Sequence, residues 1–448
     1  MNAYMRTVVI SIAVAQCIVS SEGSPRRKQQ EESVLPFLDH DVVKDCPRTF
    51  ESHSMRFTDE KLRRNYLSVM DRVHNTNFRL DRAPGSLMDK HEEIFDVLPE
   101  GEFVFWGSPE RGVLEFSAFN SDTVIEGDKG NGREYGRQWR FVAPQYKDFG
   151  SIKQTMVLEG DHVAFVGPNF EVFAHFFLDS LGYFAYLREV MPSDVRFLFA
   201  DVNGSNQRRL ETLDPEFAKR VDWIQCQKQM NCNIAAKIRN GNLRVLRPIS
   251  GTRHMDLLFK ARKWILEKNP PKPKSLQERT IIYYTRNSKN AGHGRAMDIK
   301  QEEAMIDIIE QTMIRFGRTE KLVIFDGVMS MDEQIDLFQS ANIVIGAHGG
   351  GFANLIFLLP SNSCSTRPKV LELISNELTP DVQRGSLGKT YYNLYSSCPW
   401  AEYHHILYVP PSTEEVTYID LHEFKDVVRA MLRPHTHRKE LPQDPLLQ

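Results

Sequence analysis

The stretch Ile343-Val344-Ile345-Gly346-Ala347-His348-Gly349-Gly350-Gly351-Phe352-Ala353-Asn354 reads as a buried strand that runs into a histidine and three glycines and then into an apolar helix. Glycines let backbone N–H groups turn toward a ligand, and the helix that follows presents its positive N-terminal end. That arrangement holds phosphates without a metal ion. It makes His348, Gly349, Gly350, Gly351 and Asn354 the first candidate binding residues. Two familiar phosphate motifs do not fit. Counted from Gly349, the last glycine of GxGxxG would fall on Asn354, and no Gly-Lys-Ser/Thr follows.

Working outward, the same half of the chain alternates strands and amphipathic helices. Strands are expected at 280–285, 321–325, 343–345 and 370–374, and helices at 300–316 and 331–340. Ser330 with Glu333 makes a capping box for the second of these helices, and Asp420 with Glu423 starts a last one. The earlier half shows a strand-like run at 102–106, then strands at 163–166 and 195–199 with helices at 175–190 and 253–267. Between the halves, Lys268–Lys274 holds Pro270, Pro271 and Pro273 among lysines, which is linker chemistry. The expected fold is α/β: two Rossmann-like, doubly wound domains facing across a cleft. The expected bounds are 49–267 and 280–435, with a linker at 268–279 and a tail at 436–448.

Three further motifs carry chemistry. Tyr283-Tyr284-Thr285-Arg286, followed by Lys289, His293 and Arg295, places cations beyond the C-terminal end of a strand. Open α/β sheets bind ligands there, and a guanidinium clamps diphosphate oxygens bidentately. Asn169-Phe-Glu-Val-Phe-Ala-His175-Phe-Phe-Leu-Asp179 puts His175 and Asp179 at i, i+4 on one apolar helix face. A buried carboxylate beside an imidazole is costly unless it is used or paired. In Val370-Leu371-Glu372-Leu373-Ile374 one carboxylate interrupts an apolar strand, and ribose hydroxyls would suit it as partners.

Composition and address narrow the class. The 448 residues are 41% hydrophobic, ample for packed cores, and 56 Lys and Arg against 59 Asp and Glu leave a net charge of −3, which speaks against a general nucleic-acid binder. The N-terminal apolar run, Thr7 to Val19, is short for a bilayer span of ~20 residues and suits a secretory leader. Residues 1–21 are therefore expected to be a signal peptide or signal anchor, and 22–48 a polar stem. Past Cys17 the remaining cysteines are odd in number, with Cys226–Cys232 and Cys364–Cys398 as candidate pairs. A sequon, Asn203-Gly204-Ser205, suits a lumenal surface turn. The one Asp-x-Asp, Asp39-His40-Asp41, falls in the stem, so no catalytic metal is expected.

Taken together, GAHGGGFAN followed by VLELI, then YYTRNSKNAGHGR and NFEVFAHFFLDSL, resemble glycosyltransferase family 61 over roughly residues 160–410. The family includes plant cell-wall xylosyl- and arabinosyltransferases and animal N-acetylglucosaminyltransferases of the secretory pathway. The resemblance implies a GT-B fold, a UDP-sugar donor, inversion at the anomeric carbon, and a glycan or glycoprotein acceptor in the Golgi or endoplasmic reticulum. It implies no cofactor beyond the donor, no nucleic-acid partner, and a membrane only through the N-terminus. Arg286, Arg295, His348, Gly349–Gly351, Asn354 and Glu372 would hold the donor, with Asp179 or His175 as base. Two features depart from the family pattern: Gly182 stands where a proline is usual, and 362–368 looks inserted. A sugar- or glycoprotein-binding protein without turnover, on the same fold, is the alternative from another class.

Overall fold

Six strands form an all-parallel sheet in the order β1-β17-β16-β15-β13-β14, where β1 is Phe50–Ser52, β13 Thr280–Tyr284, β14 Lys321–Phe325, β15 Ala341–Ala347, β16 Lys369–Ser375 and β17 Glu402–Tyr408. The computed structural model describes residues 154–164, 173–226, 234–246, 255–287, 297–359, 367–375, 400–408 and 419–433, with six short strands between 50 and 142. The leader, stem, tail, Lys289, His293, Arg295 and the candidate cysteine pairings lie outside the described residues.

The central strands β13, β15 and β16 are mostly apolar because both of their faces are covered, whereas β14 at the edge is partly exposed. Ile281, Tyr283, Ile343, Ile345, Leu371 and Leu373 turn to one core with helices α7 (Ile299–Arg315) and α9 (Leu421–Leu432). Their neighbours Ile282, Tyr284, Val344, Val370 and Ile374 turn to the other, with α8 (Met331–Ser340) and a 3-10 helix, Gly350–Phe357. Ser330 and Glu333 form the expected capping box of α8, and the Asp420 side chain caps α9. The helix expected after the glycines is thus 3-10 rather than α.

A second sheet has the order β10-β9-β8-β12-β2. Here β8 (His162–Ala164), β9 (Arg196–Val202), β10 (Val221–Cys226) and β12 (Leu243–Leu246) run parallel, and β2 (Phe95–Leu98) is antiparallel to β12. Between β8 and β9 the chain is helical: α1 (Phe173–His175), a π turn (Phe176–Ser180) and α2 (Leu181–Val190). Between β9 and β10 come α3 (Ser205–Leu213) and α4 (Pro215–Ala218), the latter capped by Asp214. Two parallel sheets flanked by helices meet the α/β expectation. A third sheet was not foreseen: β3 (Gly101–Ser108), β4 (Val113–Asn120), β5 (Thr123–Glu126) and β6 (Arg140–Val142) form an antiparallel run extended by β11 (Ile234–Arg239) and β7 (Gln154–Glu159).

The segment expected as a linker holds a short helix. Helix α5 (Met255–Lys268) leads into it, and Pro273–Gln277 forms a short helix, α6, with proline in its first turn, where a missing N–H costs nothing. Asn269 ties it to both sides: its Nδ2 donates to the Leu213 carbonyl at 3.1 Å, and its carbonyl accepts from Gln339 Nε2 at 2.6 Å. The boundary at 49 also shifts in meaning, since β1 pairs with β17 in the sheet of the second half.

The two halves share one hydrophobic core. Gly182 on α2 is what lets α5 close in, because a Cβ there would meet Leu257 Cβ at 2.7 Å and its backbone at 3.0 Å. From α5, buried Arg262 donates Nη1 to the Ile356 carbonyl of the 3-10 helix at 2.7 Å, and its guanidinium lies 4.3 Å over Trp400.

Candidate functional site

In the all-parallel sheet the chain goes from β13 outward to β14, then returns past β13 to β15 and proceeds through β16 to β17. The order therefore reverses between β13 and β15. At such a switch point the loops beyond the carboxyl ends diverge and leave a crevice for a ligand. Tyr284 pairs with Gly346 in this register, so Arg286 and the His348–Gly351 loop emerge side by side at that crevice.

The packing there is close. A Cβ on Gly349 would overlap Arg286 Nη1 and lie 2.9 Å from the Tyr284 hydroxyl, and one on Gly351 would lie 2.7 Å from the Tyr284 ring. Only glycine at these two positions lets the loop lie against the tyrosine and the arginine. Around Gly350 no described residue would come within 4 Å of an added Cβ. The Tyr284 hydroxyl organises the set, accepting from Arg286 Nη1 at 3.1 Å and from the Gly351 N–H at 3.3 Å. Arg286 is 8% exposed, and among the described residues its buried Nε has no hydrogen-bond partner. A nearly buried guanidinium with a donor left over is costly unless an anion completes it.

Two expected donor contacts are corrected. Asn354 is fully buried; its Nδ2 donates to Gln334 Oε1 at 2.9 Å and to the Gly351 carbonyl at 3.1 Å, so it holds the loop's shape from behind. Glu372 is also fully buried, out of reach of a ribose hydroxyl. It accepts from His348 Nδ1 at 2.6 Å and from the Tyr403 hydroxyl. Tyr284, Gln334 and Tyr403 were not singled out in the sequence. Only Tyr284, two residues before Arg286, sat inside a motif that drew notice. Arg295 lies outside the described residues.

In the second sheet β8 has β9 and β10 on one side and β12 on the other, so this sheet reverses beside β8. His175 and Asp179 lie in the first turns of the helical crossover that follows β8, on the carboxyl side of that strand. Asp179 falls within the π turn, where Leu181 N–H bonds to the Phe176 carbonyl. Single π turns are frequent at functional sites. On this crossover Phe176 and Phe177 are buried, and His175 is half-buried. Phe177 packs edge-on against Phe357 at 5.5 Å, which brings this crossover against the 3-10 helix that continues the glycine loop. Arg209 of α3, missed in the sequence, lies 5.2 Å over Phe173 and 5.8 Å over Phe176. Burial lowers its pKa to about 10 against the opposing pull of Asp201, so it remains a cation at neutral pH beside the His175 helix.

At the opposite, N-terminal ends of the same strands stands a structural cluster. His162, fully buried, bonds Asp222 through Nε2 at 3.0 Å, and Arg196 grips the same carboxylate at 2.6 and 2.7 Å. Burial alone would raise the Asp222 pKa, but these bonds outweigh it and hold the carboxyl at about 2.

A candidate site at the switch point of a parallel sheet, built from a glycine loop and a buried arginine, is arranged like those at which α/β proteins bind anionic ligands at strand ends. Comparison makes this more specific: residues 173–365 match the model of the family Glycosyltransferase 61, the family that the motifs resemble. Comparison with curated proteins gives no match. Among solved structures, E. coli ADP-heptose lps heptosyltransferase II is similar at a TM-score of 0.30 and 8% identity, over 61% of this chain and 98% of that one. The dodecameric iron-containing heptosyltransferase TibC, in complex with ADP-D-beta-D-heptose, is similar at a TM-score of 0.29 and 11% identity, over 75% of this chain and 89% of that one.

Proposed function

We propose that this chain is an inverting glycosyltransferase that moves a sugar from a UDP-linked donor to a hydroxyl of a glycan or glycoprotein. The observation that carries the reading is Arg286: nearly buried, set against Gly349 at the switch point, and with its Nε left for an anion. The diphosphate would lie along the 348–351 loop, with the Arg286 guanidinium on its oxygens. A guanidinium and backbone N–H groups fixed in a dry site stabilise the charge that develops as the sugar leaves. The family match over 173–365 supports sugar transfer as the chemistry.

Inversion needs one base to take the acceptor's proton as its oxygen attacks the anomeric carbon. Asp179 or His175, on the crossover beside the 3-10 helix, would be that base, and no obligatory divalent cation is expected. The leader-like N-terminus supports work in the secretory lumen, in the Golgi or the endoplasmic reticulum, either soluble or held by a signal anchor.

UDP release across UDP-xylose, UDP-N-acetylglucosamine and UDP-arabinose tests the reading, alongside UDP titration. Arg286→Ala should lose ~1.5–3 kcal/mol of UDP binding, the scale of a charge-assisted contact. Asp179→Asn should fold and bind UDP yet transfer ~10²–10⁴-fold more slowly if the carboxylate is the base. A folded protein that neither binds UDP nor releases it from any of these donors would sink the proposal.

A further inference from the structure

Glu372 occupies the middle of β16 with no exposure to solvent, and each of its oxygens accepts a hydrogen bond. Oε1 takes one from His348 Nδ1 at 2.6 Å, and Oε2 takes one from the Tyr403 hydroxyl on neighbouring β17. An ionised Glu372 can only accept, and in that state both the imidazole Nδ1 and the phenol donate to it. The backbone of His348 is fastened to the same strand, its N–H donating to the Leu373 carbonyl at 2.8 Å. Ring and backbone are thus both tied to β16, and Nε2 is fixed on the side of the ring away from Glu372. Among the described residues, the titratable or charged groups near this pair include His405, opposite Glu372 across the β16–β17 register, and Arg286 with Tyr284 beside Gly349.

A buried carboxylate costs stability unless it is hydrogen-bonded, and here the bonds that satisfy it also orient another group. The group it orients here is the first residue of the glycine loop. We propose that Glu372 and Tyr403 are positioning residues that hold His348 as an imidazolium in the donor complex, Nδ1–H on Glu372 and Nε2–H donating to the diphosphate oxygen that leaves the sugar; this rests on the nucleotide-diphosphate reading above. In the transfer, the acceptor oxygen forms its bond to the anomeric carbon while the bond from that carbon to the diphosphate oxygen breaks. The electron pair of the broken bond stays on the diphosphate, and the acceptor's proton goes to the base on the crossover. His348 gives up no proton; its Nε2–H bond shortens as charge gathers on the leaving oxygen, with Glu372 as counter-charge behind the ring. That interaction is stronger in the transition state than in the ground state, which is the condition for raising kcat.

The test uses the full chain with Glu372→Gln, which keeps volume and removes the counter-charge, and Tyr403→Phe, which removes one hydroxyl. Melting temperature, UDP affinity, and kcat and KM for the active UDP-sugar are measured on each. Glu372→Gln should lower kcat per folded molecule by roughly 10- to 100-fold, a usual scale for losing the partner that orients a functional histidine, with a smaller rise in KM. Tyr403→Phe should lower kcat less, in the same direction. In histidine-labelled protein with UDP bound, nitrogen NMR should show both ring nitrogens of His348 protonated, assigned by loss of the signals in His348→Gln. Wild-type kcat per folded molecule in both variants, or a His348 ring with an unprotonated Nε2 in the UDP complex, would overturn the proposal. If Arg286→Ala loses UDP while Glu372→Gln and Tyr403→Phe behave as wild type, only this inference fails. If Arg286→Ala also keeps UDP affinity, the diphosphate site itself fails.

Discussion

Replacing Gly349 by alanine adds a single methyl group at the tightest point of the candidate site. Its backbone is extended, with φ 175°, so an L-residue is tolerated conformationally and the effect is steric alone. The new Cβ would overlap Arg286 Nη1, with Arg286 Cζ at 3.1 Å and the Tyr284 hydroxyl at 2.9 Å. A surface arginine would swing aside at little cost, but this one is 8% exposed and bonded to the Tyr284 hydroxyl at 3.1 Å. The tyrosine cannot yield either, because its ring is packed at 5.7 Å from Phe325 and 5.8 Å from Phe352. Overpacking of this kind costs ~1–3 kcal/mol. At about 2 °C per kcal/mol for a large domain, the melting temperature should fall by roughly 2–6 °C. UDP affinity should fall further than stability, since relief of the overlap moves Arg286 itself. Gly350→Ala is the stability control: no described residue lies within 4 Å of its Cβ, so its melting temperature should match wild type. Scanning fluorimetry and UDP titration on both variants decide the matter. Gly349→Ala protein with wild-type melting temperature and wild-type UDP affinity would refute the close approach of loop and arginine.

Gly182→Ala should lower the melting temperature by a similar amount, because its Cβ meets Leu257 Cβ at 2.7 Å where α2 crosses α5, and UDP affinity should be spared. The Asp222 carboxyl, held at about 2 against an unfolded value near ~3.9, contributes about 2 kcal/mol at neutral pH. Because its folded pKa is the lower one, that stability is complete above about pH 4 and disappears as pH falls through about 2. Asp222→Asn should therefore unfold at lower urea than wild type at pH 7, with the gap narrowing toward pH 2; a gap independent of pH would contradict the ion pair.

The parts of the fold legible in the sequence are those whose cause is local. Strand β14 and helix α8 appear at their expected bounds, 321–325 and 331–340. In α8 the Ser330–Glu333 box marks the start three residues apart, and in β13 and β15 apolar runs announce burial on both faces. The antiparallel run β3–β6 has no such mark, since its strands differ in length and its partners include β11, more than a hundred residues away in the chain. The π turn was equally hidden. Phe176, Phe177 and Leu178 are all buried, so the apolar pattern fits an α-helix as well as it fits an extra residue in the turn.

The same division runs through the candidate site, and it explains which assignments changed. The glycine loop and Arg286 could be read because each follows a strand directly, and the strand fixes where it emerges. Glu372 and Asn354 were read as ligand-facing because a polar residue in an apolar run has two explanations that sequence cannot separate: it meets a ligand, or it meets a partner inside the protein. For Glu372 the partners are His348, 24 residues before it, and Tyr403, 31 residues after it. For Asn354 the main partner is Gln334, 20 residues before it on α8. None of these separations matches a helix or strand period, so only the closing of the parallel sheet brings the groups together. The polar residues nearest the glycines therefore divide by depth. Arg286 keeps a donor unpaired among the described residues, while Asn354 and Glu372 lie behind the loop and hold its shape and the direction of His348.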